Sequence, residues 1–160
     1  MEKVALFVDV QNIYYTVKER YHQHFNYGYF WNHATSGREI FTAIAYAIDR
    51  GDQKQIKFQQ ILKNMGFEMK LKPYIQRGDG STKGDWDVGI TVDMLEYAEK
   101  VDIIVLASGD GDFDIVVEKI QKKHGVSVEV YGVPELTATS LIEASSRYIP
   151  IDDQYLLTIQ

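Results

Sequence analysis

The order of apolar and polar residues along the chain predicts strands and helices in alternation. Residues 3–10 and 101–107 are almost wholly apolar, and each run ends at or just before an aspartate. Strands that are apolar on both sides are typical of the centre of a parallel sheet. Further strands are predicted over 40–48, 67–76 and 126–131, with a short one near Ile149. Pro73 places the 67–76 strand at an edge of the sheet.

Helices are expected between these strands. The predicted helices span residues 12–21, 52–65, 85–99, 112–124 and 137–147, and Gly66 and Gly125 end the second and fourth. The aromatic-rich residues 21–37 are interpreted as an irregular excursion, and residues 77–84 as a polar loop. No repeat or linker interrupts the chain, so we predict one α/β domain over residues 1–160 with a mostly parallel sheet.

Composition narrows the function classes. The 160 residues include no cysteine, which excludes disulfides and thiolate metal sites. No apolar run approaches the length of a membrane span, and Met1-Glu2-Lys3 leads directly into the first strand without a signal peptide. The sequence therefore predicts a cytoplasmic protein without a membrane segment.

The charge is unevenly distributed. The chain carries a net charge of -6, yet residues 50–83 hold eight basic and three acidic side chains. One basic segment thus accompanies an acidic remainder, which favours a polyanionic partner. The alternative is that these lysines cover a solvated helix face and protect an edge strand.

Aspartates follow the two apolar strands. Asp9 ends the first strand, and Asp110 and Asp112 follow the second. The carboxyl ends of parallel strands meet at one rim of a sheet, and Asp87 lies at the start of a helix after a glycine loop, where it can face the same rim. Like charges this close raise each other's pKa, and a divalent cation removes that cost. Oxygen ligands without cysteine suit Mg²⁺ or Mn²⁺.

Each acid also has a structural interpretation. Asp9 and Asp112 are candidate helix caps, Asp110 is a candidate turn residue, and Asp87 suits a helix N-terminus. The convergence of all four favours a metal site. Two other acids are set aside: Asp93 lies about 120° around its helix from Asp87, and Asp114 is expected to face solvent or the helix dipole.

Other chemistries fit less well. A calcium loop starting at Asp110 would need glycine at Ile115 and glutamate at Gln121. An aspartyl-phosphate enzyme would need an acid where Gln11 stands. Zinc binding by His22, His24 and His33 remains an alternative, although stacking or surface exposure explains these histidines more simply.

Three motifs in order resemble the NYN domain, a family of PIN-like ribonucleases that includes the LabA-like bacterial proteins. The motifs are Phe7-Val8-Asp9-Val10-Gln11-Asn12, Lys83-Gly84 leading to Asp87-Val88, and Ser108-Gly109-Asp110-Gly111-Asp112-Phe113. The resemblance implies a PIN-like, Rossmann-like three-layer sandwich with about five parallel strands. It further implies hydrolysis of RNA that depends on one or two Mg²⁺ or Mn²⁺ ions.

The resemblance also implies roles for individual residues. Asp9 and Asp110 are predicted to hold the first metal, and Asp87 and Asp112 to complete its shell or orient water. The predicted substrate contacts are Asn12, Lys83 and Ser108. Two residues, rather than the usual one, separate Lys83-Gly84 from Asp87, and Ser146 stands where the family often has an aspartate.

The expected partner is single-stranded RNA along the basic segment. The candidate residues for stacking on its bases are Tyr27, Tyr29, Phe30 and Trp31. Their alternatives are packing beneath the long loop or a contact in a homodimer. Two other functions stay open: a non-catalytic RNA- or protein-binding module that keeps the acidic site, and a phosphohydrolase of small substrates.

Overall fold

The computed structural model of the chain describes residues 1–76, 82, 83 and 85–157, with only the backbone at 75, 76, 82 and 83. In chain order its elements are β1 (Lys3–Asp9), α1 (Val10–Tyr21), β2 (His24–Phe25), α2 (Tyr27–Thr35), β3 (Glu39–Asp49), α3 (Gln53–Met65), β4 (Glu68–Pro73), β5 (Ile75–Gln76), β6 (Thr82–Lys83), α4 (Asp87–Tyr97), β7 (Ile103–Ala107), α5 (Asp114–His124), β8 (Ser127–Gly132), α6 (Thr139–Ala144), β9 (Arg147–Pro150) and β10 (Leu156–Leu157).

A parallel sheet of six strands forms the middle of the fold, in the order β4-β3-β1-β7-β8-β9. The two most apolar segments, β1 and β7, lie side by side at its centre, as their sequence predicts. The predicted edge position of β4 is also confirmed. The sheet has six strands rather than about five because β9 pairs with β8.

Helices cover both faces of the sheet, which confirms the predicted three-layer α/β sandwich. Alternate residues of β1 enter two separate cores because successive side chains of a strand point to opposite faces. Leu6 and Val8 pack in the core beneath α1, α2 and α3. Ala5 and Phe7 pack in the core beneath α4, α5 and α6.

The aromatic segment is regular, and the prediction of an irregular excursion over 21–37 is wrong. The Asn26 side chain accepts a hydrogen bond from the backbone N–H of Tyr29 and so starts α2. Phe30 is fully buried, and Tyr27 and Trp31 pack against the same core. The predicted stacking of Phe30 on RNA is therefore wrong, because this ring presents no surface. Tyr29 is 37% exposed.

Several boundaries differ from the predictions. The last helix spans Thr139–Ala144 rather than 137–147, because the chain turns from Ser145 into β9. A short 3-10 turn, Gly111–Phe113, precedes α5. The predicted loop 77–84 lies outside the described residues except for Thr82–Lys83, whose backbone pairs with β5. In the part of the chain that the structure describes, no helix is long and apolar enough to cross a membrane.

Candidate functional site

The candidate site lies where β1 and β7 end. The two strands pair in parallel up to Val8 and Ala107, so the next residues, Asp9 and Ser108, leave the sheet side by side. Each strand is apolar along its length because helices cover both of its faces. Polar residues begin where the helices no longer cover the strand. Strand order thereby brings together residues almost one hundred positions apart in the sequence.

Four hydrogen bonds lock the two strand ends together. The Asn12 backbone N–H donates to Asp9 Oδ1 (3.3 Å), and the Ser108 hydroxyl donates to Asp9 Oδ2 (3.2 Å). The Asp110 backbone N–H donates to Ser108 Oγ (3.2 Å). The Gly109 backbone N–H donates to Asn12 Oδ1 (2.9 Å). Both oxygens of Asp9 are thus held by the protein, and the loop that carries Asp110 is fixed to the start of α1.

Gly109 allows this loop to approach its neighbour. A Cβ atom at this position would lie 2.7 Å from the carbonyl oxygen of Leu136, closer than van der Waals contact permits. The Gly109 carbonyl accepts a hydrogen bond from the Ala138 backbone N–H (3.0 Å). The glycine in the Ser-Gly-Asp motif is therefore required by a backbone contact beside the site.

Three carboxylates converge at this rim. One carboxylate oxygen from each of Asp87, Asp110 and Asp112 lies within 4.8 Å of the other two. Asp87 belongs to the first turn of α4, and Asp110 Oδ1 accepts a hydrogen bond from the Asp112 backbone N–H (2.9 Å). Asp9 and Asp110 also act as caps. These two acids therefore have a structural role in addition to their place at the candidate site.

A cleft of about 170 Å³ opens beside the cluster, and its lining residues are Asp9, Gln11, Asn12, Asp85, Asp87 and Asp110. Asp85 was missed by the sequence reasoning. Its Oδ1 accepts a hydrogen bond from the Asp87 backbone N–H (3.2 Å), so it caps the start of α4. The signal was present in the sequence, since Asp85 and Asp87 repeat the spacing of Asp110 and Asp112.

Burial, together with neighbouring negative charges, raises two pKa values in the cleft. Burial raises the pKa of Asp9 to about 6, against the hydrogen bonds from Asn12 and Ser108. Burial, a hydrogen bond with the Asp110 carboxyl group and the charges of nearby acids raise the pKa of Asp87 to about 8. A hydrogen bond between two carboxyl groups needs a proton between them. Without a cation, the site therefore retains a proton near neutral pH.

The predicted site residues occupy different places around this rim. Asp9, Asp87, Asp110 and Asp112 are brought together, although Asp9 is not one of the three clustered carboxylates. The Asn12 side chain faces the cleft but also holds Gly109. Ser108 is fully buried beneath the rim, so it supports Asp9 and Asp110 rather than lining the opening. The side chain of Lys83 lies outside the described residues.

Two residues that the sequence analysis considered, Asp93 and His33, lie outside this cluster. Asp93 is buried and accepts hydrogen bonds from the Tyr46 hydroxyl and the Lys70 ammonium, each 2.7 Å long. His33 Nδ1 lies 2.7 Å from the Tyr131 hydroxyl oxygen. Within the described residues, the one group of three or more potential metal ligands contains no histidine.

The three carboxylates could hold a hard divalent cation. Mg²⁺ bonds to oxygen at 2.0–2.1 Å in an octahedral shell, so its ligand oxygens lie about 3 to 4.2 Å apart. The oxygens of Asp87, Asp110 and Asp112 lie within 4.8 Å of one another, which is close to this spacing. The oxygen-only donor set also suits Mn²⁺.

Comparisons with known proteins agree with this architecture. Residues 3–152 match the model of the NYN domain. The chain is 28% identical to the low amplitude and bright protein LabA of Synechococcus elongatus, with 94% of this chain and 84% of that protein covered. A crystal structure of a protein of unknown function from Vibrio parahaemolyticus is 54% identical. It superposes with a TM-score of 0.93 over 98% of this chain and 96% of that one.

Proposed function

The chain belongs to the NYN domain family, and from this membership and its acidic cleft we propose that it hydrolyses RNA phosphodiester bonds with Mg²⁺ or Mn²⁺. One observation carries the proposal. Asp87 on α4 and Asp110 and Asp112 after β7 converge within 4.8 Å, although they come from separate elements. Repulsion between these carboxylates lowers the stability of the fold, and binding of a divalent cation offsets that loss.

The proposed cation is held by Asp87, Asp110 and Asp112. When bound, it stabilises the negative charge that develops on the phosphate and lowers the pKa of the attacking water. We assign proton acceptance to Asp9 because its carboxylate lines the cleft beside the proposed metal ligands without belonging to their cluster. Ser108 and Asn12 keep the Asp9 carboxylate oriented, through the hydrogen bonds that fix both of its oxygens.

The shape of the cleft supports a large substrate. Pockets that enclose small molecules commonly have volumes of about 300–1,000 Å³. A cleft of about 170 Å³ is smaller and receives only part of a substrate, such as one phosphate group of a chain that continues outside. This supports RNA over a phosphohydrolase of small substrates.

A non-catalytic binding module is the second candidate. Neither relative is described by an enzymatic activity, and both oxygens of Asp9 already accept hydrogen bonds. A module of this kind would bind RNA or a protein partner and leave RNA intact.

An activity assay with matched variants distinguishes the two. Purified protein is incubated with single-stranded RNA and Mn²⁺, and cleavage is followed on a gel. We expect Asp110→Asn to lower the rate at least about 100-fold, because it removes a proposed metal ligand. Asp114→Asn, in the same acidic run but outside the cluster, is expected to stay within about twofold of the parent. Equal activity in all three proteins would assign the cleavage to a contaminant, and intact RNA throughout would favour the binding module.

A further inference from the structure

The carboxyl ends of β3 and β4 form a wall beside the acidic cleft. Asp9, the last residue of β1, pairs with Tyr46 of β3, but β3 continues to Asp49, which pairs with Pro73 of β4. Three further residues in a strand add about 10 Å. The ends of β3 and β4 therefore project past the level of Asp9, and the side chains they carry stand next to the cleft.

Lys72 is fixed at this wall by two contacts. Its ammonium lies 4.5 Å from the centre of the Trp86 ring and donates a hydrogen bond to the backbone carbonyl of Asp85 (2.9 Å). Asp85 itself lines the cleft. Lys72 is thus a cation held directly at the edge of an acidic site, where it offsets part of the negative charge that an anionic substrate would meet.

Trp86 is the support for Lys72. Its ring nitrogen donates to the backbone carbonyl of Ala47 (2.9 Å), and its ring lies 5.3 Å from that of Tyr46. A Cβ atom at Gly89 would lie 2.6 Å from the Trp86 ring, so the glycine lets the indole approach α4 closely. The indole thus contacts both the helix and the lysine.

A second cation and an exposed ring follow along the wall. The Arg50 guanidinium lies 4.8 Å from the centre of the Tyr74 ring. The Tyr74 backbone N–H donates to the carbonyl of Asp49 (3.1 Å), which ties the ring to the end of β3. Tyr74 remains 41% exposed. Lys70, on the same strand as Lys72, is by contrast neutralised by Asp93.

We propose that Lys72 and the Arg50–Tyr74 pair form a binding subsite for single-stranded RNA on the β4 side of the acidic cleft. The two cations hold backbone phosphates, and the exposed ring stacks on one base. This combination of cations and a ring is the chemistry by which proteins bind single strands without reading their sequence. The inference deepens the proposed function and rests on it for the identity of the substrate.

The choice of RNA follows from the ring as well as from the charges. An acidic peptide would use Lys72 and Arg50 but would gain little from an aromatic ring beside them. A nucleic acid strand uses both, since each nucleotide has one phosphate and one flat base. Tyr74 therefore discriminates between the two classes of partner.

Fluorescence anisotropy with a labelled 12-nucleotide oligouridylate tests the subsite. The measurement is made in EDTA at low salt, so that binding is separated from cleavage. We expect Tyr74→Ala to raise the Kd about fivefold or more, since loss of one stacked base has at least that effect. Tyr74→Phe keeps the ring and is expected to stay within twofold. Lys72→Gln is expected to weaken binding and to reduce the slope of log K against log salt by about 0.7.

Controls come from the same side of the sheet but from the opposite, amino-terminal end of its strands. Lys63→Gln changes an exposed lysine at the far end of α3, and Phe41→Ala an exposed ring at the start of β3; both should leave the Kd unchanged. Equal Kd values in all variants would overturn the subsite, as would binding of polyglutamate with the same dependence on Lys72 but none on Tyr74. If the variants weaken RNA binding while the parent does not cleave RNA, the subsite stands and the proposed hydrolysis fails.

Discussion

Helix α4 carries two aspartates, six residues apart, in opposite surroundings. Asp87 faces Asp110 and Asp112, and its pKa is raised mainly by burial and by Asp110. Asp93 receives hydrogen bonds from Tyr46 and Lys70, and its hydrogen bond raises the pKa of Lys70. The fold neutralises Asp93, which anchors the helix, and leaves Asp87 repelled by neighbouring acids. We infer from that difference that Asp87 is a functional group and Asp93 a structural one.

The largest expected effect comes from the anchoring acid. Asp93→Asn removes the negative charge between Lys70 and Tyr46 and leaves the ammonium without its counter-ion. Breaking a buried pair costs about 3–5 kcal/mol, and because the Lys70 side chain is 35% exposed we expect a loss of about 2 kcal/mol in the free energy of unfolding. Urea denaturation in EDTA measures the change.

The matched variant at the rim should act in the other direction. Asp87→Asn removes a charge that the cleft disfavours, so the metal-free protein should gain about 1 kcal/mol at pH 8, a modest value because the rim is open to water. If Asp87→Asn destabilises the protein as much as Asp93→Asn does, the two carboxylates have the same structural role and the contrast fails.

A further and distinctive effect concerns pH. The pKa values of Asp87 and Asp9 rise in the folded protein from 3.8 to about 8 and about 6, so the folded state binds more protons than the unfolded state between pH 4 and 8. Stability without metal should therefore fall as the pH rises through this window. Mn²⁺ competes with these protons, so its stabilising effect should grow from pH 5.5 to pH 8, by about 1–2 kcal/mol.

Thermal unfolding at both pH values measures this trend, with potassium chloride at equal ionic strength as the control for screening. The Asp93→Asn protein should keep the trend, and Asp87→Asn should lose most of it. A stabilisation by Mn²⁺ that is equal at both pH values would show that the cation does not displace protons from this rim.

Much of the fold could be predicted from the sequence because buried positions carry apolar residues in a pattern that differs between strands and helices. The apolar strands β1 and β7 were located by their uniform composition, and the helices by their apolar spacing and by glycines such as Gly66 and Gly125. Helix α2 was missed although Tyr27, Phe30, Trp31 and Ala34 follow a helical spacing. This segment was interpreted as an irregular excursion, with packing as one alternative for its rings, and the structure shows that most of these rings pack in a core.

The candidate site was predictable where residues lie at the ends of central strands or at the start of a helix. Asp9 ends β1 and Asp110 follows β7 by three residues, so neighbouring strands bring them together. The position of Lys72 depends on how far β4 projects beyond β1 and on the orientation of Trp86. Neither property is encoded locally. The burial of Ser108 likewise follows from contacts between distant segments, which motif spacing alone does not reveal.

The most direct test of the central claim is a crystal soaked in Mn²⁺ and measured at a wavelength where manganese scatters anomalously. We predict an anomalous peak among Asp87, Asp110 and Asp112, with manganese bonded to an oxygen of each. Crystals of the Asp110→Asn protein should lose the peak. A parent crystal with no peak at this rim, although Mn²⁺ is in excess, would contradict the assignment of these carboxylates as a metal centre.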